Sequence, residues 1–191
     1  MTYDPPRPAG RLLLTPDDTE APARALRLRR LGMGEHPDTA LDAYATRLAE
    51  LTCVPYAMVN FPDGHGQFFA GLHLPPTGPV PKEDGTRPEI GRRLPRDHGF
   101  CPHVLARRRA LALEDVRDYP RFAGNPVVDG LGVRSYLGAP LIDSTGTVLG
   151  TVSVSDVQPR SWGRTGLDTI KSTAAELVVR LERRAEDGFP L

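Results

Sequence analysis

The sequence predicts an α+β fold: an antiparallel sheet with helices at both chain ends. Three observations carry this. Two apolar runs, Tyr136 to Ile142 and Val148 to Val154, flank the short polar linker Asp143-Ser144-Thr145-Gly146-Thr147, the pattern of a β-hairpin. A second pair, Tyr56 to Phe61 and Gln67 to Leu72, flanks the turn signal Asp63-Gly64-His65-Gly66. Apolar residues at spacings of three and four lie before the first hairpin and after the second, so helices bracket the strands.

Taken in order, residues 1–22 are rich in Pro, Asp and Thr and read as a flexible tail, with one apolar patch at Leu12-Leu13-Leu14. Residues 23–187 read as one domain. A short basic helix starts at Pro22 and ends at Gly32 or Gly34. Asp38 is placed to cap a stronger helix whose Leu41, Tyr44, Leu48 and Leu51 share a face. Pro55 ends it. Cys53, between that helix and a strand, reads as a buried structural thiol.

Residues 73–98 lack periodicity and are rich in Pro and Gly, the signature of a lid or a disordered insertion. Phe100 to Leu105 opens a short helix, with Pro102 in its first turn, where a missing N–H costs nothing. Arg107-Arg108-Arg109 closes it, and Ala110 to Leu113 is a short strand. Asn125-Pro126 and Gly130-Leu131-Gly132 punctuate a second irregular stretch.

In the run from Val148 the alternation places Val148, Gly150, Val152 and Val154 on one side. Leu149, Thr151, Ser153 and Ser155 fall on the other. A strand face this small and polar has something besides a plain core beside it. The last helix, Thr165 to Ala185, aligns Leu167, Ile170, Ala174, Leu177 and Leu181 in a heptad-like seam. That seam suits either a coiled coil or one face laid on the sheet. Residues 188–191 read as a C-terminal tail.

With 24 basic and 24 acidic residues, no global field draws the chain to nucleic acid or an anionic membrane, and neither is an expected partner. The basic clusters read as solvated faces. No apolar run approaches the roughly 20 residues of a membrane helix. Two cysteines, Cys53 and Cys101, make no disulfide framework and suit a reducing cytoplasm. There is no nucleophile elbow, P-loop, HExxH or paired CxxC, so no catalytic residue and no metal site is assigned.

Eight residues are candidate ligand contacts. Cys101 and His103 sit two apart at a helix start, where a helix end and a nearby imidazolium acidify a thiol; the alternative is a pocket wall. Tyr119, Arg121 and Phe122 offer a planar cation between two aromatics, suited to an anionic or planar group. The alternative is a surface turn in which Asp115 or Asp118 pairs with Arg121. Arg134, Tyr136 and Gly138 share strand parity, with Gly138 leaving space above the sheet for a small polar ligand; the alternative is an outer face covered by a helix.

The run YLGAPLIDSTGTVLGTVSVSD followed by Pro159-Arg160-Ser161-Trp162 resembles the C-terminal half of a GAF domain. The subgroup is the one found beside bacterial sensor kinases and cyclic-dinucleotide enzymes. The strand VPYAMVNF after a helix, Gln67-Phe68-Phe69 with Gly71-Leu72, and Phe100-Cys101-Pro102-His103 agree. So does Glu114-Asp115 leading through Tyr119-Pro120-Arg121-Phe122-Ala123 to Asn125-Pro126-Val127-Val128. The likeness runs from about Arg24 to Arg184. It departs in the longer, more Pro-rich 73–98 segment.

The resemblance implies a six-stranded antiparallel sheet sandwiched by helices in α/β/α layers, with a pocket between the sheet and the irregular middle segment. It implies a non-enzymatic, cytoplasmic sensor that binds an unidentified small molecule, its cofactor unknown, and signals through its terminal helices. A homodimer through those helices and a separate signalling protein are the expected partners. The alternative is an interaction or dimerisation module with a vestigial pocket. A third reading, an enzyme like the free methionine-R-sulfoxide reductases, would use Cys101, but those relatives cycle several cysteines. Bilin-binding relatives attach chromophore at a cysteine near this region; their Cys-His dipeptide is absent, since Pro102 intervenes.

Overall fold

The computed structural model describes residues 15–34, 36–63 and 66–187. The leucines at 12–14, His65 and the tail at 188–191 lie outside the described residues. In order the chain forms α1 (Ala21–Arg30), α2 (Thr39–Thr52), β1 (Tyr56–Pro62), β2 (Gln67–His73), β3 (Arg93–Leu94) and α3 (Cys101–Arg107). It continues with β4 (Leu111–Leu113), a 3-10 turn (Val116–Asp118), α4 (Pro126–Leu131), β5 (Ser135–Ile142), β6 (Val148–Asp156) and α5 (Gly163–Asp187).

The six strands make one antiparallel sheet in the order β3-β2-β1-β6-β5-β4. One face packs against α1, α2 and α5 through Val59, Phe61, Leu137, Leu141, Val152 and Val154. The other carries a second core with α3, α4 and the turn at Val116. The expected layers are therefore present.

Asp38 caps α2 as its position predicts, accepting from the N–H groups of Ala40 (2.9 Å) and Leu41 (3.3 Å). Leu41, Tyr44 and Leu48 are buried on the sheet side, but Leu51, in the last turn, is 68 % exposed. The apolar face of α2 outruns the packing that covers it. Cys53 is exposed, not buried: it ends α2 in the left-handed region (φ 53°), which turns its side chain out before β1 begins.

The seam on α5 is absorbed within the chain. Ile170, Ala174, Leu177 and Leu181 are buried in the first core, and Leu167 packs against it. Trp162 holds the start of that helix by donating its indole N–H to the Leu113 carbonyl (3.2 Å).

The expected alternation in β6 holds from Thr151 to Ser155 and breaks before it. Leu141 faces Gly150 and Ile142 faces Val148, so Leu149 is the extra residue of a bulge and joins the first core. Gly150 is required there: a Cβ would stand 2.0 Å from the Asn60 carbonyl oxygen.

The 73–98 segment is irregular but tied down. Its β3 residues pair with β2, and Arg92 makes a two-pronged bond to Asp42 (2.9 and 2.8 Å). The second irregular stretch contains a helix that periodicity did not reveal. Asn125 caps α4 by accepting from Val127 N–H (3.2 Å), with Pro126 at its start. The same amide side chain exchanges two hydrogen bonds with the Gly99 backbone, fastening α4 to the entry of α3.

Candidate functional site

The second face of the sheet presents Tyr56, Met58 and Asn60 from β1. Beside them lie Thr151, Ser153 and Ser155 from β6, then Tyr136 and Gly138 from β5, in register across the three strands. Over one end of this face lies a chamber of about 50 Å³. Met58, Phe69 and Leu72 form its floor; Leu74, Ile90, Leu94, Phe100 and Val127 form its cover. No charged side chain lines it. Drug-sized ligands fill about 300–1,000 Å³, so the chamber as it stands is too small for one.

Polar contacts hold the cover. Val80 N–H donates to the Tyr56 hydroxyl (2.9 Å), and Gln67 donates to the Pro95 carbonyl (3.0 Å). Glu83 receives Arg117 (3.3 Å) and Arg134 (3.7 Å).

Two of the eight sequence candidates, Cys101 and Tyr136, line the chamber. The Cys101 sulfur lies 3.6 Å from the Tyr136 hydroxyl, both buried. Burial first, then the Cys101 thiol, pushes the phenol well above its ordinary range, so it stays neutral. Gly138 lies beneath this phenol. The space expected above it is filled by Tyr136 itself, since a Cβ would stand 2.2 Å from the phenol oxygen.

The other five lie elsewhere. His103 is buried edge-on against Phe122, with ring centroids 4.9 Å apart. Burial, then Arg121 and Arg107, lowers its pKa to about 4. It is neutral near pH 7 and supplies no imidazolium to Cys101. Phe122 is core, set against Phe100 (5.7 Å). Arg121 is exposed and stands over that ring alone (5.8 Å), and Tyr119 is also exposed, so no cation is held between two aromatics. Asp115 pairs with Arg134, through Nε (3.0 Å) and a short second bond from Nη2, instead of with Arg121. The Asp115 carboxylate is held below its usual range chiefly by that bond. Arg134 precedes β5, which starts at Ser135, so the alternation that orients Tyr136 does not govern it.

Sequence reasoning noticed the polar face of β6 but missed its cross-strand partner, Asn60. Asn60 sits directly opposite Thr151, and Ser153 directly opposite Met58 and Gly138. All three polar residues are fully buried. Asn60 donates its amide to Gln67 (3.2 Å), but its Oδ1, Thr151 Oγ1 and Ser153 Oγ lack hydrogen bonds of good geometry. Each such group costs about 1–3 kcal/mol. Among the described residues no cluster of three or more His, Cys, Asp or Glu side chains is placed to hold a metal, and no helix is long and apolar enough to cross a membrane.

Comparison with known proteins sets this geometry in context. A cyclic di-GMP phosphodiesterase of Pseudomonas aeruginosa is 37 % identical over 70 residues, which are 36 % of this chain and 12 % of that protein. The chain thus spans about 12 % of the length of the curated relative it matches. The GAF domain of an Acinetobacter phosphoenolpyruvate-protein phosphotransferase superposes with TM-score 0.58 at 16 % identity, covering 91 % of this chain and 99 % of that one. Free methionine-R-sulfoxide reductase of Neisseria meningitidis, solved with its substrate, gives 0.60 at 16 % identity, covering 89 % and 87 %. The blue-light-absorbing PixJ GAF domain of Thermosynechococcus elongatus gives 0.59 at 20 % identity, covering 83 % and 87 %. At these identities the structures share the fold. The family model described as GAF domain matches residues 36–181, which is most of the sequence, and the chain therefore belongs to the GAF domain family.

Proposed function

We infer that this chain is a non-catalytic regulatory module of signal transduction, which senses a small uncharged molecule in the chamber between the sheet and the 74–94 cover. The observation that carries this is the chamber's lining: apolar, without a charged side chain, under a segment tied down by hydrogen bonds and ion pairs. A phosphate group finds no cation there, because Arg134 and Arg121 are engaged outside it. Output would pass through the terminal helices. Arg27 of α1 bonds Asp143 in the β5–β6 loop (2.5 Å) and reaches Glu182 of α5 (3.4 Å), and Ser144 also donates to Glu182. Both helices are thus tied to the central hairpin.

Native mass spectrometry of the protein purified from its own host tests the reading. The expected result is a discrete added mass that is lost on denaturation. A clean unliganded mass, with no fraction of host metabolites slowing hydrogen exchange in residues 74–91, would overturn it.

A second reading is favoured by the chamber's size, about 50 Å³: an interaction module whose pocket is vestigial, acting as a homodimer or on a separate signalling protein. A concentration-independent monomer that retains no partner would remove it. A reductase of the sulfoxide kind is less well supported, because Cys101 is buried beside a phenol and Cys53 does not line the chamber. Two free thiols are compatible with a reducing cytoplasm.

A further inference from the structure

We propose that Asn60, Thr151 and Ser153 are the polar recognition row of this domain, built to receive an uncharged carboxamide or lactam whose N–H stands beside its carbonyl. The inference rests on the sensor reading above and assigns that ligand's chemistry.

The three side chains lie on the chamber's face of the sheet, on paired positions of the central strands β1 and β6. Each is wholly buried; Asn60 Oδ1 and Thr151 Oγ1 have no hydrogen-bond partner, and Ser153 Oγ lies near the Tyr136 hydroxyl without a bond of good geometry. Asn60 Oδ1 is an acceptor in want of a donor, because its amide nitrogen is already given to Gln67. The Thr151 and Ser153 hydroxyls supply donors. An N–H for Asn60 and an adjacent carbonyl for the hydroxyls would satisfy all three at once. No charged side chain lines the adjoining chamber. A charged ligand would be desolvated without a counter-ion.

The row adjoins the chamber. Met58, opposite Ser153, and Gln67, bonded to Asn60, both line it. Tyr136, on β5 beyond β6, also lines the chamber, and its hydroxyl lies over Gly138, which is paired with Ser153. A ligand that reached Ser153 from the chamber would displace that ring from Gly138. Without a ligand, Asn60 Oδ1 and Thr151 Oγ1 have no partner, so a ligand that supplies partners favours the state in which it reaches them.

The test uses the full chain and two probes, 2-piperidone and N-methyl-2-piperidone, which differ in the N–H. In 1H–15N spectra 2-piperidone should shift the Asn60 side-chain amide and the Thr151 and Ser153 backbone saturably, and the N-methyl compound should bind about tenfold more weakly or worse. Thr151→Val and Ser153→Ala should each raise the Tm of the free protein by about 2–4 °C, since each removes a buried hydroxyl that lacks a hydrogen bond of good geometry. The same variants should lose about tenfold in 2-piperidone affinity. Variants that melt lower than wild type, equal binding of the two lactams, or no shift with either up to solubility would overturn the proposal. A host ligand found by native mass spectrometry to lack an N–H beside a carbonyl would overturn it while leaving the sensor reading intact.

Discussion

The Tyr136 ring folds back over Gly138, two residues along the same strand, so closely that a Cβ on Gly138 would stand 2.2 Å from the phenol oxygen and 2.7 Å from the ring carbon that bears it. Gly138→Ala should therefore displace the ring and cost about 1–3 kcal/mol. In a Tyr136→Ala background the same change should cost little. Urea unfolding of the four proteins checks this, and an equal cost in both backgrounds would show that Gly138 serves something other than the phenol.

His103 makes a pH prediction. Its folded pKa of about 4 lies below the ordinary 6.5, so the unfolded chain takes up the proton first as pH falls. Stability should decline from pH 6.5 toward 4, by about 2–3 kcal/mol between pH 7.5 and 4.5. The lowered carboxylates Asp18, Asp115 and Asp143 lose their contribution only below that window. His103→Phe should flatten the profile there; an unchanged slope would place the titration on another group.

Leu177 is almost fully buried in the α5 seam against its own sheet. Leu177→Ala should cost about 2–5 kcal/mol. The cost should not vary with protein concentration across a dilution series of thermal melts. A loss that grows on dilution would show the seam shared between chains.

The two thiols should separate cleanly. Cys53, exposed at the end of α2, should react with a disulfide reagent in the native state. Cys101, buried at the start of α3, should react only on unfolding. Two fast native thiols would mean that the chamber opens readily without ligand.

Arg134 bridges Asp115 and Glu83, and Glu83 belongs to the cover. Arg134→Ala should speed amide exchange in residues 74–91 and leave the Cys101–Tyr136 contact in place. It should cost about 1–2 kcal/mol, because both partners of the main pair are mostly buried. Unchanged exchange would show the cover held by its backbone contacts alone.

Much of the fold was legible because hairpins and caps are local. The Asp143-to-Thr147 linker, the Asp38 cap and the α5 seam depend on residues within a few positions of one another. What was not legible depends on distant partners. The Leu149 bulge sits beside the approach of the Asn60 carbonyl to Gly150, a cross-strand contact that β6 alone does not reveal. Arg134 was set beside Tyr136 by parity, but Asp115 draws it away. Tyr119, Arg121 and Phe122 read in sequence as a cation between two aromatics, but composition does not tell the exposed Tyr119 from the buried Phe122. Asn60 is one polar residue in an apolar strand and acquires meaning only when Thr151 is placed opposite it.

The strand order also has a kinetic consequence. The sheet's middle pair joins β1 to β6, with Tyr56 opposite Ser155, so one side of β1 has no pairing partner until nearly the whole domain has been synthesised. At about 5–20 residues per second, that interval lasts on the order of 5–20 s. Loops this long close slowly, and an unpaired apolar edge invites pairing with another chain. Aggregation of this protein during synthesis should therefore begin at β1, before any ligand or neighbour can act on the finished sheet.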